Sequence, residues 1–469
     1  PVRFPPHGSA RRRVLAPAVL ALALAGPLAA PAATAGARAD RAPDDRVAAL
    51  SRPDIAAEAP ALTTKTTGAA DDRPLLVTPG TDSTGGVGIY DNSGELIWWG
   101  GEGGHTNLAA TTYRGEPVLS VHKGKGAEGR YVLLDRSYRE VASFRMKGYT
   151  TDVHDFRVSP DGERVLLMGY HPVPYDLSAY GGPKDATVTD AVIQEQDIDT
   201  GEVTFEWSAL DHVPVTETQL ALTEKDVDFF HINSFAYEPD GGLLVSARHT
   251  STVYKLTLPD GDIAWRLGGT NSDYSLPSLA DAFSFQHDAR RLKDGSISVF
   301  DNGNLATPQR SRGAVYTLDD GQRTAKLTRD LQPDPPVYGS YTGGSAELPG
   351  GNMLVSYGET GLITEFRGDE PVFTGRWPDG WFSYRAERAD WHGTPAKRPD
   401  AVVRDGTLAV SWNGATEVAS WRLSADGETR TVRKSGFETR TAPPGDDGPV
   451  KVTALDDDGD ALADRTVRR

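Results

Sequence analysis

The chain has 469 residues, and 66 acidic against 49 basic side chains give it a formal net charge of −17 at pH 7. The length allows two or three domains with a large core. So acidic a chain, with no basic runs in its body, is a poor candidate for binding nucleic acid or an anionic membrane. Cysteine is absent, which excludes disulfides, thiolate metal sites and cysteine nucleophiles.

The N-terminal part carries a targeting signal followed by a polar segment. Arginines at 11–13 precede an apolar run at 14–25 and a small-residue pattern at 33–35. This order predicts a signal peptide over residues 1–35 and a secreted, extracellular protein. The apolar run is too short and too interrupted by proline to be a membrane anchor. Residues 36–73 are rich in Ala, Asp, Pro and Thr without clear periodicity, so we predict a disordered linker there.

A repeated unit occupies residues 74–399. Each unit has a glycine-containing turn, as at 239–241 and 294–295, followed by a short apolar strand, as at 243–245. Four short strands per unit, at a spacing of roughly 40 to 55 residues, are typical of a β-propeller. A sandwich or a β-helix fits this period less well. We therefore predict an all-β chain with a six-bladed β-propeller, whose units start near residues 75, 107, 154, 231, 287 and 344.

The C-terminal residues 400–469 have a different pattern. Residues 408–412, 418–422 and 450–455 alternate apolar and polar side chains at period two, which indicates strands with one buried face. We predict a small β-sandwich that resembles a fibronectin type III or immunoglobulin-like module, with Trp412 in its core. The region has no constellation of reactive groups, so a spacer or accessory binding role is its expected function.

The repeat register predicts that reactive side chains meet at one mouth of the propeller channel. The first strand of a blade lines the channel and the second runs back beside it, so a residue that opens strand one lies near a residue that closes strand two. The histidines that open a unit are His154, His231 and His287. The closing residues that we single out are Tyr170, His171, Arg248, His249, Asn302 and Tyr357. We predict that all of them except Arg248, which we place in the catalytic group, bind the substrate.

A single histidine in a strand is usually a satisfied structural residue. Three at one repeat register, with Arg248 closing one of those blades, are hard to explain by packing and indicate a functional site. Asp288 follows His287 directly, so strand alternation places its side chain on the opposite face. We therefore expect that Asp288 does not orient the imidazole.

At these positions the chain resembles the secreted arylsulfate sulfotransferases, six-bladed propeller enzymes that work without a phosphoadenosine sulfate donor. The likeness covers the propeller and is most specific at 230–234, 246–249, 286–287 and 300–303.

The resemblance implies that His287 is the nucleophile and forms a sulfohistidine. It further implies that His154, His231 and Arg248 hold the sulfuryl oxygens, that Asn233 lies beside them as a substrate-binding residue, and that no cofactor is needed. The best-known bacterial members carry an N-terminal sandwich and a disulfide. This chain has a C-terminal sandwich and no cysteine, which resembles an actinobacterial branch.

The chemistry that these side chains allow is sulfuryl transfer between phenols. A neutral imidazole is a nucleophile near neutral pH, and Arg248 with one protonated histidine, His154 or His231, would stabilise the charge on the transferred group and protonate the leaving oxygen. The expected partners are a small-molecule aryl sulfate donor and a phenolic acceptor, which react in ping-pong order.

Two other functions stay open. Three histidines could bind Zn²⁺ with a free fourth position, although Arg248 beside a dication would be costly and no His-Glu-x-x-His motif occurs. The alternative is a non-catalytic propeller that binds a ligand or partner through its channel face, because the fold alone does not decide the function.

Overall fold

The computed structural model describes residues 45–81, 84–102 and 106–469, and over these ranges the chain is all-β, as predicted. The signal peptide predicted for residues 1–35 lies outside the described residues. Within the described part of the chain, no helix has the length and apolar character that a bilayer-spanning segment needs.

Residues 45–74, which precede the first sheet, contain a short helix and a strand. Helix α1 (Pro53–Glu58) begins with a proline, whose fixed φ suits the first helical position. Strand β1 (Thr63–Thr66) pairs antiparallel with a strand far along the chain. Ile55 is buried, with 1% of its surface exposed, and Leu62 packs in the same apolar cluster. The prediction of a disordered linker is therefore wrong from residue 45 onward, because these apolar side chains are buried against the neighbouring sheets.

Among the described residues, six mainly antiparallel sheets follow one another between Leu75 and Arg388. The strands of the first two sheets are β2 (Leu75–Gly80), β3 (Gly86–Tyr90), β4 (Leu96–Glu102), β5 (Thr106–Tyr113), β6 (Glu116–Lys123), β7 (Arg130–Leu134) and β8 (Glu140–Phe144). The third sheet contains β9 (Thr150–Thr151), β10 (Arg157–Val158), β11 (Arg164–Tyr175), β12 (Ala186–Asp197), β13 (Val203–Ser208) and, after helix α2 (Ala209–His212), β14 (Asp226–Val227), which pairs parallel with β12.

The remaining three sheets of this group have the same antiparallel order. The fourth contains β15 (Ile232–Tyr237), β16 (Leu243–Ala247), β17 (Thr252–Leu256) and β18 (Ile263–Gly268). The fifth contains β19 (His287–Arg291), β20 (Ile297–Asp301), β21 (Arg312–Asp319) and β22 (Thr324–Leu331). The sixth contains β23 (Gly344–Glu347), β24 (Met353–Ser356), β25 (Leu362–Arg367) and β26 (Glu370–Arg376), with β1 on the outer edge of β26.

One strand joins the end of this region to its beginning. Strand β27 (Phe382–Arg388) pairs antiparallel with β2 and takes the first place in the first sheet. The backbone N–H of Thr78 donates to the Ser383 hydroxyl across this pairing at 3.0 Å. The first unit, predicted to start near residue 75, therefore takes the strand at its first place from residues 382–388.

The cores lie between successive sheets, where each strand presents one face to the next sheet. The cluster around Trp207 and Phe235 joins the third sheet to the fourth, and the cluster around Phe300 joins the fifth to the sixth. The predicted turns are present at Gly241 and Gly295, whose φ angles of 88° and 87° favour glycine. The sheets are consequently held together by apolar packing between neighbours.

Two further antiparallel sheets form the C-terminal region. One contains β28 (Asp400–Arg404), β29 (Thr407–Ser411) and β32 (Glu438–Thr441), and the other contains β30 (Ser420–Ala425), β31 (Glu428–Arg433), β33 (Val450–Leu455) and β34 (Ala461–Val467). Trp421, with 1% of its surface exposed, lies in the core between them. Trp412, predicted to be a core residue, comes just after the end of β29, is only partly buried and packs against this core without being enclosed in it.

Candidate active site

The structure brings the three histidines of the repeat register to one place. The ring of His231 lies 5.0 Å from that of His154, measured between centroids. Tyr384, on β27, faces both His154 at 5.6 Å and His287 at 6.4 Å. Sequence reasoning missed Tyr384 because it belongs to the strand that returns to the first sheet.

His287 is the most enclosed of the three. It begins β19 and exposes 2% of its surface. Its Nδ1–H donates to Oδ1 of Asn302 at 2.7 Å, so the other ring nitrogen, Nε2, carries the lone pair of the neutral ring. Burial and the nearby Arg248 guanidinium lower the pKa of His287 well below its usual range. The imidazole is therefore neutral at physiological pH and can act as a nucleophile through Nε2.

His154 and His231 each form a dyad with a carboxylate. Nδ1 of His154 donates to Asp152, and Nδ1 of His231 donates to Asp228 at 2.5 Å. Burial lowers the pKa of His231, and the hydrogen bond to Asp228 opposes that effect. Sequence reasoning missed both carboxylates, although the Asp-x-His and Asp-x-x-His spacings were visible.

Arg248 is fixed in the site by three contacts. One of its Nη atoms donates to Nε2 of His249 at 2.6 Å, and the other donates to the carbonyl of Ser340 at 2.9 Å. The guanidinium also lies 4.9 Å from the centroid of the Phe285 ring. These contacts hold a positive charge beside His287, where it can stabilise a bound anion.

His249 contacts two residues of the site, His231 and Arg248. Its ring lies 4.6 Å from that of His231, and its Nδ1–H donates to the backbone carbonyl of Asp228 at 2.5 Å. Burial, with the neighbouring His231, lowers the pKa of His249 to about 4. Because both ring nitrogens are engaged by the protein, the structure gives His249 a positioning role instead of the predicted contact with substrate.

Asn302 and Asn233 are also positioned by the protein and expose none of their surface. The amide nitrogen of Asn302 donates to the carbonyls of Gly339 and Thr342 at 2.8 and 3.0 Å. The amide nitrogen of Asn233 donates to the carbonyl of Gln286 at 2.7 Å, just before His287. Both side chains therefore hold His287 in place, which differs from the substrate contacts that the sequence predicted for them.

Tyr170 lies against the histidines, whereas its neighbour does not. The Tyr170 ring stacks on His231 at 5.6 Å with an interplanar angle of 22°, and its hydroxyl donates to the carbonyl of Ile232 at 2.5 Å. His171 is exposed and packs against Tyr149 at 5.7 Å. Successive side chains of a strand point to opposite faces, so the prediction that His171 binds substrate is wrong.

Tyr357 belongs to the core and not to the site. It is fully buried, its hydroxyl donates to the carbonyl of Leu331 at 3.0 Å, and its ring packs edge-on against Phe300 at 5.8 Å. It follows the last residue of β24 and turns between the fifth and sixth sheets. The prediction that Tyr357 binds substrate is therefore wrong.

A buried cluster of ion pairs lies beside the histidines. The carboxylate of Asp288 contacts Arg290 at 2.7 Å and Arg385 at 3.4 Å. Asp155, the residue after His154, contacts Arg290 at 3.0 Å. Asp288 thus faces the arginines and not the His287 ring, which confirms the expectation from strand alternation.

One group of side chains could in principle hold a metal ion. In the part of the chain that the structure describes, donor atoms of Asp228, His231 and His249 lie within 4.8 Å of one another. However, Nδ1 of His249 donates to a carbonyl and Nε2 accepts from Arg248. The guanidinium also places a positive charge beside the group, which opposes a dication. The donor set does not fit a metal centre.

Comparison with known proteins points to one family. A model of the arylsulfotransferase (ASST) family matches residues 109–376, the range that contains His154, His231, Arg248 and His287. No curated protein matches the chain.

Solved structures to which the chain shows similarity include a protein of unknown function from Bacteroides caccae and the virginiamycin B lyase of Staphylococcus aureus. The first is 15% identical, with 67% of this chain and 98% of that chain covered and a TM-score of 0.41. The second is 8% identical, with 75% and 97% covered and a TM-score of 0.35.

Proposed function

Because the chain belongs to the arylsulfotransferase (ASST) family, we propose that it moves a sulfuryl group from a phenolic sulfate ester to a phenolic acceptor without phosphoadenosine sulfate. The observation that carries this proposal is the convergence of a neutral, buried His287 with Arg248 and the two dyad histidines. The six sheets would be the blades of a closed propeller, and the histidines would stand at one mouth of its channel.

The first half of the reaction loads His287. The Nε2 lone pair forms a bond to the sulfur of the donor, and the bond from sulfur to the phenolic oxygen breaks with its electron pair on that oxygen. Nε2–H of protonated His231 or His154 gives its proton to the leaving phenolate. Arg248 stabilises the negative charge on the three sulfuryl oxygens, and its planar guanidinium suits them better than an ammonium would.

The second half of the reaction transfers the sulfuryl group from His287 to the acceptor. The phenolic acceptor gives its proton to the same dyad histidine, its oxygen bonds to sulfur, and the sulfur–Nε2 bond breaks with its electron pair on Nε2. His287 is neutral again, and the dyad histidine carries the proton for the next donor. The site is aromatic on the side of Tyr170 and Tyr384, which suits a substrate with an aromatic ring.

Export would place this activity outside the cell. The predicted signal peptide supports a secreted protein, and a sulfate ester donor, unlike a nucleotide donor, does not need to be made inside the cell. For the C-terminal sheets we keep the interpretation made from the sequence, a fibronectin type III-like module with an accessory role.

The experiment that tests the proposal uses purified protein and 4-nitrophenyl sulfate without an acceptor. We expect a stoichiometric burst of 4-nitrophenolate, one added sulfuryl group on the peptide that contains His287, and turnover once a phenol is added. His287→Ala should lower the burst rate at least about 10⁴-fold. The matched control is His171→Ala, which removes an exposed histidine that packs on Tyr149 outside the site and should keep the burst.

Two results would contradict the proposal. Steady transfer without a burst or an adduct would mean direct transfer between donor and acceptor. No release of 4-nitrophenolate, either without an acceptor or after a phenol is added, would favour a propeller that only binds its ligand.

A further inference from the structure

Each site histidine has its Nδ1 held by one polar side chain. The three pairs are His287 with Asn302, His231 with Asp228, and His154 with Asp152. The first partner is a neutral amide and the other two are carboxylates. Since Nδ1 is engaged in every pair, Nε2 is the nitrogen that each ring can offer to a substrate.

The orientation of the Asn302 amide is fixed by its other contacts. Its nitrogen donates to the carbonyls of Gly339 and Thr342, and an amide nitrogen has only two hydrogens. Oδ1 is therefore the atom that faces His287, and it can only accept. The ring must donate from Nδ1, so its neutral form has no hydrogen on Nε2.

The surroundings of His287 oppose a proton on Nε2. The titratable and charged groups that face this ring are Arg248, His231, His154 and Tyr384, and none of them is an acid that is ionised at neutral pH. Burial keeps the pKa of the Tyr384 hydroxyl above its ordinary value, so the phenol stays neutral. The hydrogen bond to the neutral Asn302 amide favours an imidazolium, but burial and the positive charge of Arg248 outweigh it.

In the two dyads, unlike at His287, the partner at Nδ1 is a carboxylate whose charge favours a proton on Nε2. Burial acts to raise the pKa of Asp152, but the charge of His154 lowers it overall. For Asp228, burial also acts to raise the pKa, and the hydrogen bond from His231 lowers it overall. Both carboxyl groups are thus ionised, and an ionised partner at Nδ1 stabilises a proton on Nε2 of the same ring.

The geometry points to a division of labour that is set by the partner at Nδ1: Asn302 holds the neutral His287 ring in the tautomer that leaves Nε2 free to attack, whereas Asp152 and Asp228 make His154 and His231 proton carriers. This inference rests on the proposed sulfuryl transfer. When Nε2 of His287 bonds to sulfur, the ring becomes positively charged, and its Nδ1–H stays with Asn302 because an amide oxygen does not remove it. The proton that the leaving oxygen needs comes from Nε2–H of a dyad, which returns to the neutral ring held by its carboxylate.

The first test reads the imidazole tautomer directly and needs no substrate. Long-range ¹H–¹⁵N correlation spectra, with His287 assigned by the loss of its signals in His287→Gln, should show one tautomer with hydrogen on Nδ1 from pH 6 to 8. Asn302→Ala should mix the tautomers and slow the burst at least about tenfold. The matched control is Asn304→Ala, which removes a hydrogen bond to Ser340 and should keep the single tautomer.

The wild-type spectrum tests the role of Asn302 even if Asn302→Ala does not fold. A hydrogen on Nε2 of the neutral ring, or an imidazolium at pH 7, would overturn the role of Asn302.

The second test separates acid catalysis from mere support. 4-Nitrophenolate leaves easily, whereas unsubstituted phenolate needs a proton. We expect Asp228→Asn or Asp152→Asn to raise the ratio of the 4-nitrophenyl sulfate to the phenyl sulfate burst rate at least about tenfold. Asp390→Asn breaks an exposed pair with His392 and should leave the ratio unchanged. An unchanged ratio in both dyad variants would overturn the role of the carboxylates.

Failure of this inference is distinguishable from failure of the proposed function. If wild-type protein gives no burst with either ester, the sulfuryl transfer fails, and the role of Asn302 is still decided by the tautomer spectrum. If wild-type protein gives a burst but the His287 tautomer or the ratio of burst rates differs from the expectation, the proposed sulfuryl transfer is retained and the division of labour is rejected.

Discussion

The carboxylate of Asp155 is the centre of the buried ion-pair cluster, and we predict that Asp155→Asn lowers the free energy of unfolding by about 3–5 kcal/mol. Its oxygens contact Arg290 at 3.0 Å, Arg157 at 3.2 Å and Arg385 at 3.4 Å. One oxygen also accepts the backbone N–H of Phe235 at 3.1 Å. These partners come from the first, third, fourth and fifth sheets, so one charge ties four sheets together.

The magnitude follows from what the variant leaves behind. An amide keeps the shape and one acceptor oxygen, but three buried guanidinium groups lose part of their counter-charge. Removing one partner of a buried pair costs about 3–5 kcal/mol because the remaining charge is uncompensated. The arginines hold the pKa of Asp155 below its ordinary value although burial acts to raise it. The stabilisation is therefore complete above the unfolded-state pKa of about 3.9 and declines as the pH falls below it.

Urea unfolding followed by tryptophan fluorescence at pH 7 and at pH 3 measures both effects. We expect the full loss at pH 7 and a smaller difference between variant and wild type at pH 3. The matched control is Asp199→Asn, which breaks an exposed pair with Arg114 and should change the free energy by less than about 1 kcal/mol. A loss for Asp155→Asn no larger than that of the control would refute the reasoning.

Three further predictions address the site and its frame. Arg248→Lys should lower the burst rate at least about 100-fold, because an ammonium cannot reproduce the planar array of donors; single-turnover release of 4-nitrophenolate measures it. Tyr357→Phe should lower the free energy of unfolding in urea by about 1 kcal/mol, because the hydrogen bond to the Leu331 carbonyl is lost. The KM for the donor should stay unchanged, and a raised KM would indicate that Tyr357 contacts the substrate. Glu438→Ala removes the acceptor of the Ser51 N–H and hydroxyl, so limited proteolysis of the N-terminal segment should become faster; equal cleavage rates would refute this contact's role.

The positions of the reactive histidines could be predicted because they repeat. His154, His231 and His287 come at one register of a unit that the turns mark clearly, and equivalent positions of neighbouring sheets lie side by side. Asp152 and Asp228 could not be found in this way, since they stand in irregular segments at different distances from their histidines. No periodicity marks a residue whose place depends on a loop.

Two of the errors have a common physical cause, which is that a sequence pattern does not say in which direction a side chain points just after a strand ends. Tyr357 and Trp412 both follow the last residue of a strand, where alternation no longer fixes the direction of the side chain. The segment before β2 has a polar composition, yet Ile55 and Leu62 find apolar partners in sheets that are distant in the sequence. Tertiary contacts of this kind override composition.

The strand that returns to the first sheet sets the order in which the protein can be completed. Thr78 and Ser383, which it joins, are 305 residues apart in the sequence, so this pairing cannot form until the ribosome has made nearly all of the region. Tyr384 and Arg385 arrive with the same strand and contact the histidines and the buried carboxylates. A chain released before residue 382 would hold every reactive histidine and still lack one wall of its site. Pairing over such a distance is also intrinsically slow, so the last strand to be made is the one that turns the nascent chain into a competent protein.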